Sequence, residues 1–486
     1  MSYSGEIGEK ALEALAQFGL QHGGKAAQIA AGFLKKKTDD DLVALLNSME
    51  AKNPKAHESL LSNEPHGVFF GKQYGRYVIK PEETDGHVLV IGGPGTGKST
   101  CIAIPTLRHW RGSVFAIDIK GELYQNTHQH RPNIKVFAPE NENAPYGYDP
   151  YFSLKHSNNP AQEARAIAQA IIPLPPNIKD TFWIDSAQTI LTGAILHYHE
   201  CEYTFIGTLK EILDQKARDL LDIISESPSD KARRCVLNCS DMDSKTMMSI
   251  FPHMTNAVEA IVNNDTLVAA LSKTEVITPE NLEKGQDVYI QIPEYLLEQW
   301  KTLVILIINQ FITFFERRKE EDKSDPQSGK NRPILMLLDE FPRIGKIPKI
   351  ISGLATLRSK KITVCLVAQS LAQLEHIYGR TARKVIADTC AYKAVLGATD
   401  AETQKYFSQL VGTYEKLKNQ KSKNFDPIFN VPAGNGVQSS FEDGRPIIKP
   451  EEFATLQEEL ILLYPRPLNF CRVQKQPYYL KNVNKP

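Results

Sequence analysis

The sequence predicts an α/β protein with a mainly parallel central sheet and an inserted all-α segment. Three observations support this class. Continuous apolar segments with strand character alternate with helical patterns, and they lie at 87–91, 113–117, 135–138, 287–292, 334–338, 363–367 and 394–397. Such segments are typical of a parallel sheet covered on both faces. A glycine-rich phosphate-binding motif follows the first of them, and residues 158–280 show only helical patterns, for example at 161–172, 186–199 and 209–226.

The composition is that of an ordinary globular protein. The chain has 486 residues, of which 42% are hydrophobic and 23% charged, and this excludes a disordered polymer. The 57 Lys and Arg residues balance 57 Asp and Glu residues, so the formal net charge is zero. This balance excludes attraction to nucleic acid or to a membrane by bulk charge. A polyanionic partner would have to meet a local cationic patch.

The cysteines and the apolar segments indicate a soluble protein of a reducing compartment. The seven cysteines are scattered, and the one close pair, Cys235 and Cys239, has no His or Cys partner nearby. This pattern argues against a zinc site and favours buried thiols in the cytoplasm. The N-terminus has no signal-peptide pattern. The longest apolar run, residues 303–315, is interrupted by polar side chains and is shorter than the roughly 20 residues that span a bilayer.

Three regions are expected along the chain. Residues 1–65 would form an N-terminal helical docking segment, with helices at 7–21 and 25–37 that either pack together or dock on another protein or a membrane surface. Residues 66–157 and 281–486 would form the nucleotide-binding domain, which a hairpin at 68–80 introduces. Residues 158–280 would form the inserted all-α domain. Polar loops are expected at 323–332 and 416–436.

The glycine-rich motif matches G-x-x-x-x-G-K-[ST] and is the strongest functional signal in the chain. It follows an apolar strand and opens a helix, so backbone N–H groups can converge on phosphate oxygens where the helix dipole favours anions. We expect Lys98 to reach the β- and γ-phosphates and Ser99 to bind Mg²⁺. The predicted nucleotide-binding residues are Gly92, Gly93, Pro94, Gly95, Thr96, Gly97, Lys98, Ser99 and Thr100.

A second apolar strand, 334–338, ends in two adjacent carboxylates. We expect Asp339 to hold Mg²⁺ and Glu340 to polarise the attacking water. The alternative is an acidic pair that faces solvent at the end of a strand. Gln369 follows the next buried strand and could contact the γ-phosphate or the water, although a glutamine in this place is also an ordinary turn residue.

Residues 343–361 contain six cations and no acid. Arg358 is a candidate arginine finger that would stabilise γ-phosphate charge in a neighbouring subunit. Some of the lysines could line a channel for a polyanion. The alternative is an ordinary solvated surface.

Together these motifs resemble the conjugative coupling proteins of type IV secretion systems, the TraG/TraD type. The resemblance covers residues 66–480 and also includes Asp-x-Lys-Gly-Glu at 118–122, Phe-Trp-x-x-x-Ala at 182–187, and segments at 338–345, 354–359, 368–370 and 445–453. It implies a RecA-like hexameric ATPase that uses ATP and Mg²⁺, with Glu340, Gln369 and Arg358 as catalytic residues. Asp118 and Lys120 would lie near the nucleotide.

The resemblance also implies partners and a location. Coupling proteins of this type recruit a relaxase with attached single-stranded DNA, or protein cargo, to the secretion-channel ATPases and membrane subunits. Most of them begin with two transmembrane helices, which this sequence does not show. Either the chain is a soluble branch that other subunits dock, through residues 1–65, or the membrane region is on a separate chain. We expect a cytoplasmic chain that partners hold at the inner face of the bacterial membrane, a homo-hexamer when active and a monomer in isolation. The alternatives are a double-stranded DNA pump and a substrate-receptor adaptor with little ATPase activity.

Overall fold

The computed structural model describes residues 54–174, 180–237, 239, 242–321, 331–425, 432–465 and 469–480. The helices expected at 7–21 and 25–37 lie outside these residues, as do most of the N-terminal docking segment and most of the polar loop at 323–332.

The strands of the described chain form a large mixed sheet and a separate two-stranded hairpin. In chain order they are β1 (Leu61–Ser62), β2 (Val68–Gln73), β3 (Arg76–Lys80), β4 (Val88–Gly92), β5 (Ser113–Asp118), β6 (Ile134–Phe137), β7 (Asp287–Gln291), β8 (Ile334–Leu338), β9 (Ile362–Ala368), β10 (Tyr392–Gly397), β11 (Thr413–Phe425), β12 (Pro432–Pro446), β13 (Glu459–Tyr464) and β14 (Asn469–Gln474).

The sheet order is β1-β3-β2-β14-β13-β10-β4-β9-β8-β5-β7-β6, and the stretch from β10 to β6 is parallel throughout. Strands β4, β5, β8 and β9 are buried along their whole length, because helices cover both faces. The α/β fold with a mainly parallel central sheet is confirmed, and each predicted strand ends within two residues of its expected bounds.

The helices precede, connect and cover these strands. They are α1 (Ile104–His109), α2 (Glu122–Thr127), α3 (Phe152–Lys155), α4 (Pro160–Ile171), α5 (Phe182–Glu200), α6 (Phe205–Asp214), α7 (Ala217–Ser225), α8 (Asp230–Val236), α9 (Ser244–Val262), α10 (Asp265–Leu271), α11 (Pro279–Glu283), α12 (Leu297–Glu316), α13 (Phe341–Ile344), α14 (Ile350–Thr356), α15 (Leu371–Tyr378), α16 (Arg380–Thr389) and α17 (Ala401–Val411).

Two apolar cores lie on opposite faces of the sheet. The larger one joins β5 and β8 to α12 and continues through α4 and α5 into the helical region. Phe115 of the sheet and Phe311 of α12 meet there, with their ring centroids 4.7 Å apart. The smaller core packs α1 against the other face of β4 and β5. Because both faces are covered, polar side chains can cluster only where the strands end, at the amino edge and the carboxyl edge of the sheet.

The described part of residues 160–271 is helical, and polar contacts tie its base to the sheet domain. Gln310 of α12 accepts a hydrogen bond from the Tyr148 hydroxyl and donates to Pro150 O at 2.9 Å. The Tyr151 hydroxyl lies 2.7 Å from Thr208 Oγ1 of α6. Helix α12 thus packs against both the sheet and the helical region.

The C-terminal part of the chain differs from the sequence expectation. The polar loop expected at 416–436 falls on β11 and β12, which pair as an antiparallel hairpin. Its polar composition hides this pairing, because no alternation of apolar and polar residues marks the strands. Strands β13 and β14, which the sequence did not predict, extend the sheet beyond β10 in antiparallel orientation.

Candidate nucleotide-binding site

The phosphate-binding loop lies at the carboxyl end of β4, near the centre of the sheet. Gly95 and Gly97 have φ values of +72° and +96°, which L side chains rarely adopt. A Cβ at Gly92 would lie 2.4 Å from Thr96 Oγ1, and that hydroxyl donates to Gly93 O at 2.8 Å. After the loop, residues 98–103 form a π-helical turn that continues directly into α1. The glycines therefore permit a tight turn whose backbone can approach a ligand closely.

Lys98 is folded back into this loop. Its Nζ donates to Gly92 O at 2.7 Å and to Gly93 O at 3.1 Å, and only 7% of the residue is exposed. Burial lowers the pKa of the ammonium group, and the nearby carboxylates of Glu340 and Asp339 oppose this. Within the described residues the third N–H of the ammonium has no acceptor. It is available to an anion in the loop.

Asp339 and Glu340 follow β8, and both are 5% exposed, so the solvent-facing alternative is wrong for this structure. Asp339 Oδ1 accepts from the Glu340 backbone N–H at 3.0 Å. Burial, and next the Glu340 charge, raise the pKa of Asp339 to about 6. Glu340 has φ +48° and ψ +40°, a left-handed conformation that non-glycine residues seldom adopt. Such backbone strain persists where surrounding structure holds it, often at functional sites.

Two side chains from neighbouring strands hold Glu340. Lys120, just after β5, places Nζ 3.7 Å from Glu340 Oε1. Gln369, just after β9, donates from Nε2 to Glu340 Oε2 at 3.1 Å. Strand β9 lies between β4 and β8, so Gln369 stands between the phosphate-binding loop and the carboxylates. The carboxyl edge of the sheet thus brings together Lys98, Asp339, Glu340, Gln369 and Lys120.

Asp118 also lies at this edge, but its carboxylate serves a local purpose. It accepts backbone N–H bonds from Leu123 at 3.2 Å and from Tyr124 at 2.9 Å in the first turn of α2. The residue is 1% exposed, and burial raises its pKa against the effect of these hydrogen bonds. Asp118 therefore caps α2 and so helps to fix the backbone that presents Lys120. A cleft of about 440 Å³ beside it is lined by Asp118, Lys120, Glu140 and Gln291, among others.

Arg358 lies apart from the cluster. It is exposed on the turn that precedes β9, at the amino edge of the sheet, whereas the phosphate-binding loop is at the carboxyl edge. Within one chain it is not brought to Lys98 or Glu340. Acids from other segments meet four cations of the 343–361 segment, in the pairs Arg343–Glu294, Lys349–Glu316, Lys360–Glu320 and Lys361–Asp85. Among the described residues, Lys346 and Arg358 of this segment have no acidic partner, and the lysine channel stays a prediction.

Gln373 of α15 is a part of this arrangement that the sequence interpretation missed. Its Nε2 donates to Gln369 Oε1 at 3.2 Å. Gln369 lies outside the helix, because the N-cap Ser370 separates it from α15 and has an extended backbone. The spacing of four residues is therefore not the helical spacing that brings side chains onto one face, and no local pattern predicts the contact.

In the described part of the chain, no helix combines the length and apolar character needed to cross a bilayer.

The fold and the site define a P-loop nucleotide-binding protein with a RecA-like α/β architecture. Residues 36–485 match the family model of type IV secretory system conjugative DNA transfer proteins, and the chain belongs to this family. The predicted resemblance to conjugative coupling proteins is thereby confirmed.

Two curated relatives illustrate the similarity. Protein VirD4 of Agrobacterium fabrum is 25% identical over 434 residues, which cover 86% of this chain and 63% of VirD4. Conjugal transfer protein TraG of Escherichia coli is 22% identical over 394 residues, 75% of this chain and 61% of TraG. The chain therefore spans somewhat more than 60% of the length of these relatives.

Among solved structures, the plasmid coupling protein TrwB shares the fold. The chain aligns with TrwB in complex with a non-hydrolysable ATP analogue at a TM-score of 0.64 and 16% identity, covering 87% of this chain and 92% of that one. It aligns with TrwB in complex with ADP and Mg²⁺ at a TM-score of 0.63 and 15% identity, with the same coverage of both chains.

Proposed function

We propose that this chain is an ATP-hydrolysing coupling protein that recruits a DNA or protein substrate to a type IV secretion channel. The observation that carries the proposal is the buried carboxylate of Glu340, held by Lys120 and Gln369 beside Asp339 and Lys98. A protein that only bound nucleotide would need the loop and Lys98. It would not need a second buried carboxylate in a strained backbone conformation.

In this proposal, each residue has one physical task. The loop N–H groups and Lys98 hold the β- and γ-phosphates of ATP, for which Lys98 exchanges its bonds to Gly92 O and Gly93 O. Glu340 orients a water molecule and accepts its proton. Gln369 donates one amide N–H to Glu340 in this structure and would present its second N–H to the γ-phosphate or the water.

The donor set at this edge fits Mg²⁺. Ser99 supplies a hydroxyl and Asp339 a buried carboxylate, and hard oxygen ligands are those that Mg²⁺ prefers. Asp339 Oδ1 accepts from Glu340 N, whereas Oδ2 has no donor among the described residues. A bound cation would also offset the burial and the repulsion from Glu340, which together raise the pKa of Asp339. When bound, Mg²⁺ would neutralise phosphate charge in the reaction.

The proposal extends to assembly and partners. Arg358 would act in trans, which requires a ring, and the expected state is a homo-hexamer. The described helices within 158–280, the proposed all-α domain, would contact cargo, which is either a relaxase with bound single-stranded DNA or a protein. Channel ATPases and membrane subunits would hold the chain at the inner face of the membrane, with residues 1–65 as the proposed docking segment.

One experiment tests the core of the proposal. ATP hydrolysis is measured with no DNA, with single-stranded DNA and with double-stranded DNA, together with the mass of the particle in solution. Stimulation by single strands in a ring supports the coupling protein, whereas stimulation only by duplex supports a double-stranded DNA pump. Absence of hydrolysis under every condition would leave the adaptor.

The variant Lys98→Ala tests whether hydrolysis depends on the phosphate-binding loop. We expect it to lose hydrolysis by at least about 100-fold, since the charge that meets the transferred phosphate is removed. It should also fail to support DNA transfer in cells that lack the native coupling protein. Full transfer by Lys98→Ala would show that the chain is not a motor.

A further inference from the structure

Two consecutive hydrogen bonds connect Glu340 of the site to Gln373 of α15. Gln369 Nε2 donates to Glu340 Oε2 at 3.1 Å, and Gln369 Oε1 accepts from Gln373 Nε2 at 3.2 Å. We propose that Gln373 is a positioning residue for the ATPase reaction: it fixes the direction of the Gln369 amide, so that the N–H side of that amide faces Glu340 and the reacting water. The inference rests on the proposed function and assigns a role to a residue that is joined to the site through Gln369.

The direction of each amide follows from Glu340. An ionised carboxylate only accepts hydrogen bonds, so Gln369 must present its N–H side to Glu340. The Gln369 oxygen then faces away from Glu340, and Gln373 must present its own N–H side to that oxygen. The polarity of both amides is therefore set by chemistry and does not depend on distinguishing nitrogen from oxygen by position.

The backbone of Gln373 is held in place, whereas its side-chain oxygen has no partner in the described part of the chain. The backbone N–H of Gln373 donates to Ser370 Oγ at 3.2 Å, the N-cap bond of α15. Its side-chain oxygen is buried and has no hydrogen-bond donor within the described residues. A buried carbonyl oxygen without a partner is costly, and a hydrophobic residue of similar size would avoid that cost. A role in packing alone therefore does not explain a glutamine here, whereas a role in orienting Gln369 does.

The sharpest test reverses the direction of the hydrogen bond between Gln373 and Gln369. In Gln373→Glu the carboxylate can only accept, so it attracts the N–H side of Gln369 and turns the Gln369 oxygen toward Glu340. Two acceptors then face each other beside the reacting water. We expect kcat for ATP to fall at least about 10-fold, the size of one lost charge-assisted hydrogen bond, with KM changed less than about twofold.

Two further variants separate this effect from a general loss of structure. Gln373→Met keeps the volume without polarity, frees Gln369 to rotate, and should lower kcat by a smaller factor. Gln299→Glu makes the same chemical change on the exposed face of α12 and should leave kcat unchanged. Thermal melting of each variant shows that it is folded. A folded Gln373→Glu whose kcat equals that of the wild type would overturn the proposal, and so would an equal loss in Gln373→Met and Gln373→Glu.

Failure of the proposed function has a different signature. If the wild-type chain does not hydrolyse ATP, the ATPase proposal fails, and the affinities for a non-hydrolysable ATP analogue and for ADP still test Gln373. We expect Gln373→Glu to weaken binding of the analogue more than binding of ADP, because only the analogue presents a γ-phosphate to Gln369. An unchanged ratio of the two affinities would contradict the role of Gln373.

Discussion

The two edges of the parallel sheet both bury charged and titratable side chains, but they treat them differently. At the amino edge, Lys80 is fully buried and its Nζ donates to Pro81 O, Thr84 O and Thr363 Oγ1, so all three of its N–H groups are used. His87 accepts from Val364 N at Nδ1 and donates from Nε2 to Leu354 O. At the carboxyl edge, Lys98 uses only two N–H groups within the described residues.

The difference separates a structural network from a binding site. Polar groups whose hydrogen bonds are complete within the chain gain nothing from a ligand, and their place is to fix strands and turns. Polar groups that are buried next to like charges, with donors or acceptors left over, gain most from a ligand that supplies the opposite charge. Asp339 and Glu340 are such a pair, and Lys98 beside them has a donor to spare.

Arg358 is an exception to this difference between the two edges, because it lies at the amino edge and yet is proposed to act on ATP. We expect Arg358→Ala to reduce hydrolysis by about 1000-fold or more while ATP binding is retained, since an arginine finger meets charge that develops only in the transition state. Rates of phosphate release and the affinity for a fluorescent ATP analogue are the measurements. Lys346→Ala, another exposed cation of the same segment, is the control and should be neutral.

Mixing subunits decides whether Arg358 acts in trans. Lys98→Ala and Arg358→Ala chains are each inactive in this proposal, but a mixed ring contains interfaces where an intact loop meets an intact Arg358. Partial recovery of hydrolysis is therefore expected on mixing. Normal turnover by Arg358→Ala alone would show that Arg358 is not an arginine finger. Absence of recovery on mixing would argue against action between subunits.

Glu340→Gln tests the carboxyl edge with a smaller expected effect. The amide keeps the size of the side chain but cannot accept the proton of the attacking water, so we expect hydrolysis to fall by about 100- to 1000-fold. Binding of ATP should persist, because Lys98 and the loop are unchanged. The exposed Glu294→Gln is the matched control. Comparable kcat in Glu340→Gln and the wild type would mean that another group activates the water.

The parts of the site that are local in sequence could be predicted from the residues themselves, whereas the place of Lys120 near the nucleotide, which depends on strand pairing, came from the family resemblance. The loop at 92–99 and the carboxylates after β8 are consecutive residues at strand ends, and the structure places both at the same edge of the sheet. The approach of Lys120 to Glu340 depends on β5 and β8 being neighbours with Ile117 opposite Leu338, a register that no local pattern encodes. The catalytic roles of these residues stay predictions.

The fold shows the same limit. Continuous apolar strands revealed the parallel core, because burial on both faces removes polar residues from the strand. The hairpin of β11 and β12 has no such pattern, although its paired residues lie between 7 positions (Phe425 and Pro432) and 33 positions (Thr413 and Pro446) apart. Arg358 was recognised as a candidate finger from its position in a motif, but only the sheet topology shows that it lies at the edge opposite its own loop.

The buried Lys80 provides a test in which activity is expected to be unaffected. Burial lowers the pKa of Lys80 to about 7, whereas in the unfolded chain it is near 10.5. Between these values the unfolded state binds more protons than the folded state, so the free energy of unfolding should rise with pH by up to about 1.4 kcal/mol per pH unit. In Lys80→Met this contribution is absent. Subtracting the two unfolding curves between pH 7 and 9 isolates it, because other groups titrate in both proteins.

Where folded, Lys80→Met should bind ATP within about twofold of the wild type, whereas the equivalent Lys98→Met should lose hydrolysis. The two buried lysines would then differ because Lys80 completes its hydrogen bonds within the chain, whereas Lys98 completes them on a ligand. Parallel pH dependence of unfolding in Lys80→Met and the wild type would show that Lys80 is not a buried titrating group. A loss of ATP affinity in Lys80→Met would show that the amino edge contributes to the site within one chain.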